Sequence, residues 1–578
     1  MKYIAFLLSF LISFQCFTQN RILLDGIFED WEDQEISYTD ATGDGGSSGT
    51  DFGKLQIYND ENYIFFLLEI GNEINFQDNN NITIYIDTDG NAATGSMING
   101  IGAELAYTFG ERSGFVYLSG NTQEIYQDDI FLVSAPTVSS SKFELVIKRE
   151  ATFFGSPLFP NDNFQLVFKD NSTNGDILPD NNGGVSYIFS VDLPEPLPVY
   201  SIQKKTNADL RVLSYNVLSD GLFDASRVSS FTRILQAIRP EIIGFQEIYD
   251  HSSSQVADQV ESMLPSTTGE EWFHANAGSD IHAISRYPIL ESYTIEGNGA
   301  FLIDLPDIDE NLLFIIAHPP CCNNDEGRQM EIDAMMAFLR NAKEGIGPLQ
   351  LQTDAPIIIV GDMNLVGDRQ QLETLLTGNI ADEFTYGADF EPDWDGSNLK
   401  DSRPYTTHLP MSFTWFNEES RFSPGRLDFN IHTGSNLILQ NTYSLFTRSL
   451  PEDSLSTYGL LPNDVVLASD HLPVVADFKL KNSTTINNPK SNNTFQIKVS
   501  PNPSSGLMSI SFDIHEASFV TLQMFDLLGN EVATILHKNL RSGAHNIQFN
   551  PGRVSDGIYF LSMSTAEFTS DKLFLFIN

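Results

Sequence analysis

Ile357-Ile358-Ile359-Val360-Gly361-Asp362-Met363-Asn364 is the stretch on which the fold turns. Its apolar run reads as a strand, and a carboxylate and an amide follow at the strand's end. Asp362 and Asn364 alternate along an extended turn, so both can face one pocket. The same grammar recurs on either side. Leu210 to Leu213 runs into Ser214-Tyr215-Asn216, and Ile242 to Phe245 into Gln246-Glu247. Leu312 to Ile316 runs into Ala317-His318, and Val465 to Ala468 into Ser469-Asp470-His471. Five strand-like runs that each end in a metal-seeking or proton-handling side chain predict one polar cluster at a sheet edge.

Between these runs lie helical patterns. Val228, Phe231, Ile234, Leu235 and Ile238 recur at three- and four-residue spacing and stop at Arg239-Pro240. Gln329 to Arg340 predicts a second helix, with Met330, Ala334, Ala337 and Phe338 on one side. Residues 209–478 are therefore expected to form an α/β domain with helices covering layered sheets. Residues 21–192 look different. Leu55 to Tyr58, Tyr63 to Ile70, Ile82 to Ile86, Gly114 to Leu118, Phe143 to Ile147 and Phe164 to Phe168 are short β-rich runs between Gly, Asn and Asp turns. They predict a β-sandwich. Alternating prolines in Leu193-Pro194-Glu195-Pro196-Leu197-Pro198 mark residues 193–208 as a stiff linker. A polar stretch over 479–494 precedes short alternating strands over 495–578, a third and small β domain.

The 578 residues are too many for one core, and three domains is the natural expectation. The formal net charge is −45, with a pI near 4.3. Such a surface disfavours tight non-specific binding to nucleic acid, yet it leaves room for a phosphate-cleaving enzyme, because a bound divalent ion reverses the local sign. Lys2, the apolar run Tyr3 to Phe14 and the small and polar residues that follow read as an export signal over 1–19, too short to span a bilayer. No later stretch is apolar enough for a transmembrane segment. Beyond the signal only Cys321 and Cys322 remain, and adjacent cysteines cannot staple distant segments. A vicinal bridge and two free thiols both stay open.

Hydrolysis of a phosphate ester needs charge neutralisation, an activated water and a protonated leaving oxygen. Glu247 is a hard oxygen ligand suited to Mg²⁺ or Mn²⁺, with Asn216 and Asp470 as supporting ligands. His318 and His471 make an acid and base pair. Asp362 and Asn364 are suited to positioning water and phosphate.

Ser214-Tyr215-Asn216, Gln246-Glu247, Gly361-Asp362-Met363-Asn364, Arg426-Leu427-Asp428 and Ser469-Asp470-His471, in this order, resemble the endonuclease/exonuclease/phosphatase superfamily, which includes deoxyribonuclease I. The resemblance implies a four-layer α/β sandwich and a catalytic divalent cation on Glu247, with Asn216 nearby. It also implies that Asp428 fixes the tautomer of His471. Arg286 in Ala283-Ile284-Ser285-Arg286-Tyr287-Pro288 matches a family strand and, with Arg328, is a candidate for substrate binding. The expected substrate is a phosphodiester, from nucleic acid or a phospholipid head group. A sphingomyelinase-like or phosphomonoesterase activity remains an alternative, for which Phe413-Thr414-Trp415-Phe416 is the one candidate lipid-facing loop. A catalytically inactive surface carbohydrate-binding protein is the rival of another class.

Leu24-Asp25-Gly26, Asp30-Trp31 and Tyr85-Ile86-Asp87-Thr88-Asp89-Gly90-Asn91 resemble the family 9 carbohydrate-binding module, implying polysaccharide as a partner. The carboxylate-rich turn is also a candidate for Ca²⁺. Trp31 fits either a sugar platform or the sandwich core, and the core is preferred. Val499-Ser500-Pro501-Asn502-Pro503, Phe525-Asp526-Leu527-Leu528-Gly529-Asn530 and Gly557-Ile558-Tyr559-Phe560 resemble the C-terminal sorting domain of the type IX secretion system of Bacteroidetes. That implies a secreted or cell-surface protein handled by the type IX machinery.

Overall fold

The computed structural model describes residues 21–576 apart from 47–48, 192–193, 198–200, 268–270, 306–309, 482–496, 515–517, 527–530, 553, 556 and 565–568. The expected export signal, parts of the proline-rich linker and most of the polar stretch after Lys481 lie outside the described residues.

Four of the five predicted strand ends belong to two six-stranded sheets. In the first, Leu210–Asn216 runs parallel to Ile242–Gln246 and antiparallel to Val474–Leu480. Phe273–Ala277 and Ile281–Ser285 extend it on one side and Leu437–Ser444 on the other. In the second, Glu310–Ala317 runs parallel to Ile357–Asp362, which pairs antiparallel with Asp428–His432. The period-two alternation of side chains sorts each strand between two cores. Val212, Ile242, Phe314, Ile316, Ile358 and Val360 meet between the sheets. Leu213, Tyr215, Ile243 and Phe245 point the other way, onto the helix Val228–Ile238. Ile315, Ile357 and Ile359 point onto the helix Asp325–Glu344. The order of layers is helix, sheet, sheet, helix. Gly361 is needed where it stands: its φ is +139°, and a Cβ would sit 1.9 Å from the Ala317 carbonyl oxygen.

Two local expectations change. Val465–Ala468 is not a strand but part of the short helix Asp464–Ala468, started by Asp464, whose carboxylate pairs with Arg233 and accepts from Leu461 N. A short apolar run does not by itself distinguish helix from strand. The second helix runs over Asp325–Glu344; Ala334 and Ala337 are buried as expected, together with Ile332, Met335, Met336 and Leu339, whereas Met330 is exposed.

The six predicted N-terminal strands are present within two antiparallel sheets, ordered from Ile36–Thr39 through Tyr63–Ile74 to Val133–Ala135, and from Ile177–Leu178 through Ile82–Asp87 to Asn121–Ile125. Phe66, Phe143, Phe164, Phe168 and Leu145 fill the space between them. Trp31 lies in the interior, 1% exposed, and donates its indole N–H to Glu144 Oε1 at 2.7 Å. It offers no face to a sugar.

This segment is not a separate body. Residues 1–483 form one compact unit and 484–578 another. Ile22, Leu24, Trp31 and Phe65 share a buried cluster with Met411, Phe413, Tyr443 and Leu445. Leu24 N donates to Pro410 O at 3.0 Å, and Ser412 N to Leu24 O at 2.8 Å. In the second unit, Lys498–Ser500, Met508–Ile514 and Gly543–Phe549 make one sheet, and Ser518–Phe525, Glu531–Leu540, Gly557–Ser564 and Thr569–Phe576 another. Ile510, Phe512, Leu522, Met524 and Leu561 form its core. No helix among the described residues is long and apolar enough to cross a membrane.

Candidate active site

Side chains more than 250 positions apart meet at one edge of the paired sheets. Asn216, at the end of its strand and sealed from solvent, donates through Nδ2 to Glu247 Oε1 at 2.9 Å and to Asp362 Oδ2 at 3.1 Å. Glu247 follows its strand with φ +62°, a backbone conformation seldom adopted by a residue with a side chain, which turns its carboxylate into the edge. Glu247 Oε2 accepts from Ser219 N at 2.9 Å. Asn364 also has positive φ, donates to Pro319 O at 3.0 Å and gives its N–H to Asp362 Oδ1 at 3.0 Å.

Both imidazoles face Asp362. His471 Nε2 is 3.5 Å and His318 Nε2 is 3.7 Å from Asp362 Oδ2. Each ring is fixed from behind through Nδ1, His471 by buried Asp428 at 2.8 Å and His318 by Asp280 at 2.6 Å. Burial pulls the basicity of both rings down, but their carboxylate partners more than reverse it. His318 is raised to about 9 by Asp280, Asp362 and Glu247, and His471 to about 10 by Asp428 and Asp362.

Asp280 was not legible as a site residue. Its Oδ2 also accepts from Glu247 N at 3.2 Å, so one carboxylate fixes both His318 and the turn that carries Glu247. Tyr249 and Phe422 are further residues of the cleft that the motifs did not single out.

Three expected site residues stand elsewhere. Asp470 does not line the cleft; its Oδ2 accepts from Trp415 Nε1 at 3.2 Å. Arg286 lies over the Trp272 ring at 3.6 Å and donates to Ser266 Oγ and to Leu264 O, away from the edge. Arg328 is fully buried and donates to Gln371 Oε1, Pro320 O, Cys322 O and Asp325 Oδ1. A guanidinium satisfied from so many sides holds the loop after His318 rather than a substrate. That loop carries Cys321 and Cys322, joined as a vicinal disulfide at the rim. Of the candidate lipid-facing loop, Phe413 and Phe416 are buried, and Trp415 lines the cleft.

The cleft encloses about 1050 Å³. Glu247 and Asp362 present hard carboxylate oxygens that both accept from Asn216 Nδ2, and Asn216 Oδ1 accepts from Leu218 N at 3.0 Å. Among the described residues no lysine or arginine lines the cleft to balance them. That donor set fits a divalent cation such as Mg²⁺ or Mn²⁺. Two further carboxylate groups lie in the N-terminal segment, one of Asp40, Asp44, Asp176 and Asp180 and the other of Asp87, Asp89 and Glu104. Asp87, Asp89 and Glu104 each bring an oxygen within 4.8 Å of the others, and buried Glu104 Oε1 has no hydrogen-bond partner.

Residues 213–476 match the model of the Endonuclease/Exonuclease/phosphatase family, and residues 498–575 that of the Secretion system C-terminal sorting domain. No curated protein matches the chain. Among solved structures, the human Nocturnin catalytic domain with bound sulfate is similar at 16% identity, with 48% of this chain and 96% of that chain covered and a TM-score of 0.31. A truncated TDP2 from Caenorhabditis elegans is similar at 15% identity, with 46% and 97% covered and a TM-score of 0.30. Sphingomyelinase C from Streptomyces griseocarneus is similar at 14% identity, with 46% and 98% covered and a TM-score of 0.28. Residues 213–476 thus carry the match to the Endonuclease/Exonuclease/phosphatase family, and residues 498–575 the match to the secretion system sorting domain.

Proposed function

We propose that this protein is a secreted, divalent-metal-dependent phosphodiesterase. One observation carries the reading: Asn216, Glu247, His318, Asp362 and His471, contributed by both sheets, converge on a single edge around Asp362.

In this reading Glu247 and Asn216 hold the cation. A divalent cation held there would supply positive charge to neutralise phosphoryl oxygens and offset the carboxylates that keep His471 protonated. His471, its tautomer fixed by Asp428, takes a proton from the attacking water at Nε2. Asp362 and Asn364 orient that water and a phosphoryl oxygen. His318, held protonated against Asp280, donates from Nε2 to the leaving oxygen. The sorting domain supports export to the cell surface or beyond.

The test is turnover of bis(p-nitrophenyl) phosphate by the full chain, with and without chelator. His471→Ala and Glu247→Ala are each expected to lose at least about 10³-fold in kcat with an unchanged circular dichroism spectrum. Full turnover in both variants would overturn the assignment.

A further inference from the structure

One of the two carboxylate groups of the N-terminal segment joins its two sheets. Asp40 directly follows the strand Ile36–Thr39, an edge of one sheet, and Asp176 directly precedes Ile177–Leu178, an edge of the other. Asp44 stands in the glycine-rich loop after Asp40, and Asp180 lies just beyond Leu178. Each of the four brings a carboxylate oxygen within 4.8 Å of the others. None of them lines the catalytic cleft.

Backbone hydrogen bonds hold the four side chains in place. Asp40 N donates to Gly53 O at 2.9 Å. Asp176 accepts from Phe52 N at 2.5 Å through Oδ2 and from Ile177 N at 2.8 Å through Oδ1. The Ala41 backbone N–H approaches Asp180, and Asp51 accepts from Gly43 N at 2.9 Å, which folds the intervening loop back.

Asp40 itself is left unsatisfied. It is 4% exposed, and neither of its carboxylate oxygens has a hydrogen-bond partner. A buried carboxylate in that state is costly unless an opposite charge meets it. None is in place: among the described residues no ion pair includes any of the four. Burial and the charges of Asp180, Asp176 and Asp44 push the Asp40 carboxyl up to about 8. A gap between such carboxylates is closed either by shared protons or by a cation.

The donor set selects among cations. It holds no imidazole or thiolate, which disfavours zinc and copper. Mg²⁺ demands a near-ideal octahedron and keeps several of its waters, whereas Ca²⁺ takes six to eight oxygens in a flexible geometry. Buried Asp40 and Asp176 supply ligands from inside, and exposed Asp44 and Asp180 leave room for water to complete the shell.

We propose that Asp40, Asp44, Asp176 and Asp180 form a calcium site that clasps the edges of the two N-terminal sheets together. The site is separate from the catalytic edge and does not depend on the phosphodiesterase reading.

The experiment is equilibrium dialysis of the chelator-stripped full chain against radioactive ⁴⁵Ca²⁺, at the lowest free concentration that saturates the parent. Asp40→Asn and Asp180→Asn preserve side-chain size and remove one charge each. Each variant is expected to bind one calcium ion fewer per chain than the parent, with an unchanged circular dichroism spectrum. Because Asp180 is exposed, its variant keeps the test decisive even where Asp40→Asn disturbs folding. Calcium should also raise the first thermal transition of the parent by more than that of either variant, since an ion bound only by the folded state stabilises it. Equal calcium uptake by the parent and Asp180→Asn would overturn the site and leave shared protons as what closes the gap.

Discussion

Asp280 accepts a hydrogen bond from His318 Nδ1 at 2.6 Å and lies outside every motif that announces the site. Burial pushes its carboxyl up, but the hydrogen bond and charge of His318 more than offset this, and it is held below the usual carboxylate range. The pair fixes the ring with Nε2 toward Asp362. Asp280→Asn should therefore lower kcat by about 10²-fold with little change in KM, the pattern of a group that acts in the transition state through another. Steady-state kinetics with a circular dichroism control checks this, and an unchanged kcat would remove Asp280 from the mechanism.

Arg211 and Asp477 form a fully buried two-pronged ion pair, Nε to Oδ1 at 2.6 Å and Nη2 to Oδ2 at 2.9 Å, between the first strand of the catalytic domain and its last. Asp477→Asn leaves an uncompensated buried guanidinium and should cost about 3–5 kcal/mol in denaturant unfolding. The double variant Arg211→Met/Asp477→Leu should recover most of that loss, because the pair's desolvation cost goes with it.

His432 sets an acid limit. Burial against Phe478 lowers its pKa to about 4, from an ordinary 6.5. The folded state therefore binds the proton less readily than the unfolded chain. The neutral ring's contribution is complete above pH 6.5 and is lost as pH falls toward 4, amounting to about 3 kcal/mol at most. Unfolding curves at pH 7 and pH 4.5 should show His432→Phe losing less stability over that interval than the parent. An equal loss would refute this role.

The group of Asp87, Asp89 and Glu104, with Glu104 Oε1 buried and without a hydrogen-bond partner, gives a test for calcium. With Mg²⁺ saturating, Ca²⁺ added to chelator-stripped Asp40→Asn protein should raise the first thermal transition by a few degrees, roughly 2–4 °C, through binding to the folded state. Adding Glu104→Gln should abolish the rise. A persistent rise in that variant would locate the calcium elsewhere.

Four of the five strand-end segments were legible because each combines a local apolar run with a chemically distinctive terminus within about eight residues; the fifth, Val465–Ala468, keeps the terminus but is helical. The N-terminal strands were legible by the same alternation. Asp280 was not, since a carboxylate in a Gly-Ser-Asp turn carries no mark until tertiary packing gives it a histidine. Arg286 and Arg328 misled for the opposite reason. A positive charge near a motif suggests phosphate, but Trp272 and the carbonyls of Pro320 and Cys322 claim these two. The union of the N-terminal sheets with the catalytic domain was hidden as well, because the proline-rich stretch reads as a separator while the contacts that cancel it, such as Leu24 with Met411, join distant parts of the chain.

The catalytic edge straddles a seam. Asn216 and Glu247 ride on one sheet, and His318, Asp362 and Asp428 on the other. Beyond the Asn216–Asp362 hydrogen bond, the two are registered by interdigitated side chains such as Ile316 and Val360, which crowd against Gly244. Slippage of a fraction of an ångström along that apolar contact would separate proton donor from ion holder while every strand stayed paired. Warming should therefore silence the enzyme at temperatures where its backbone is still fully folded.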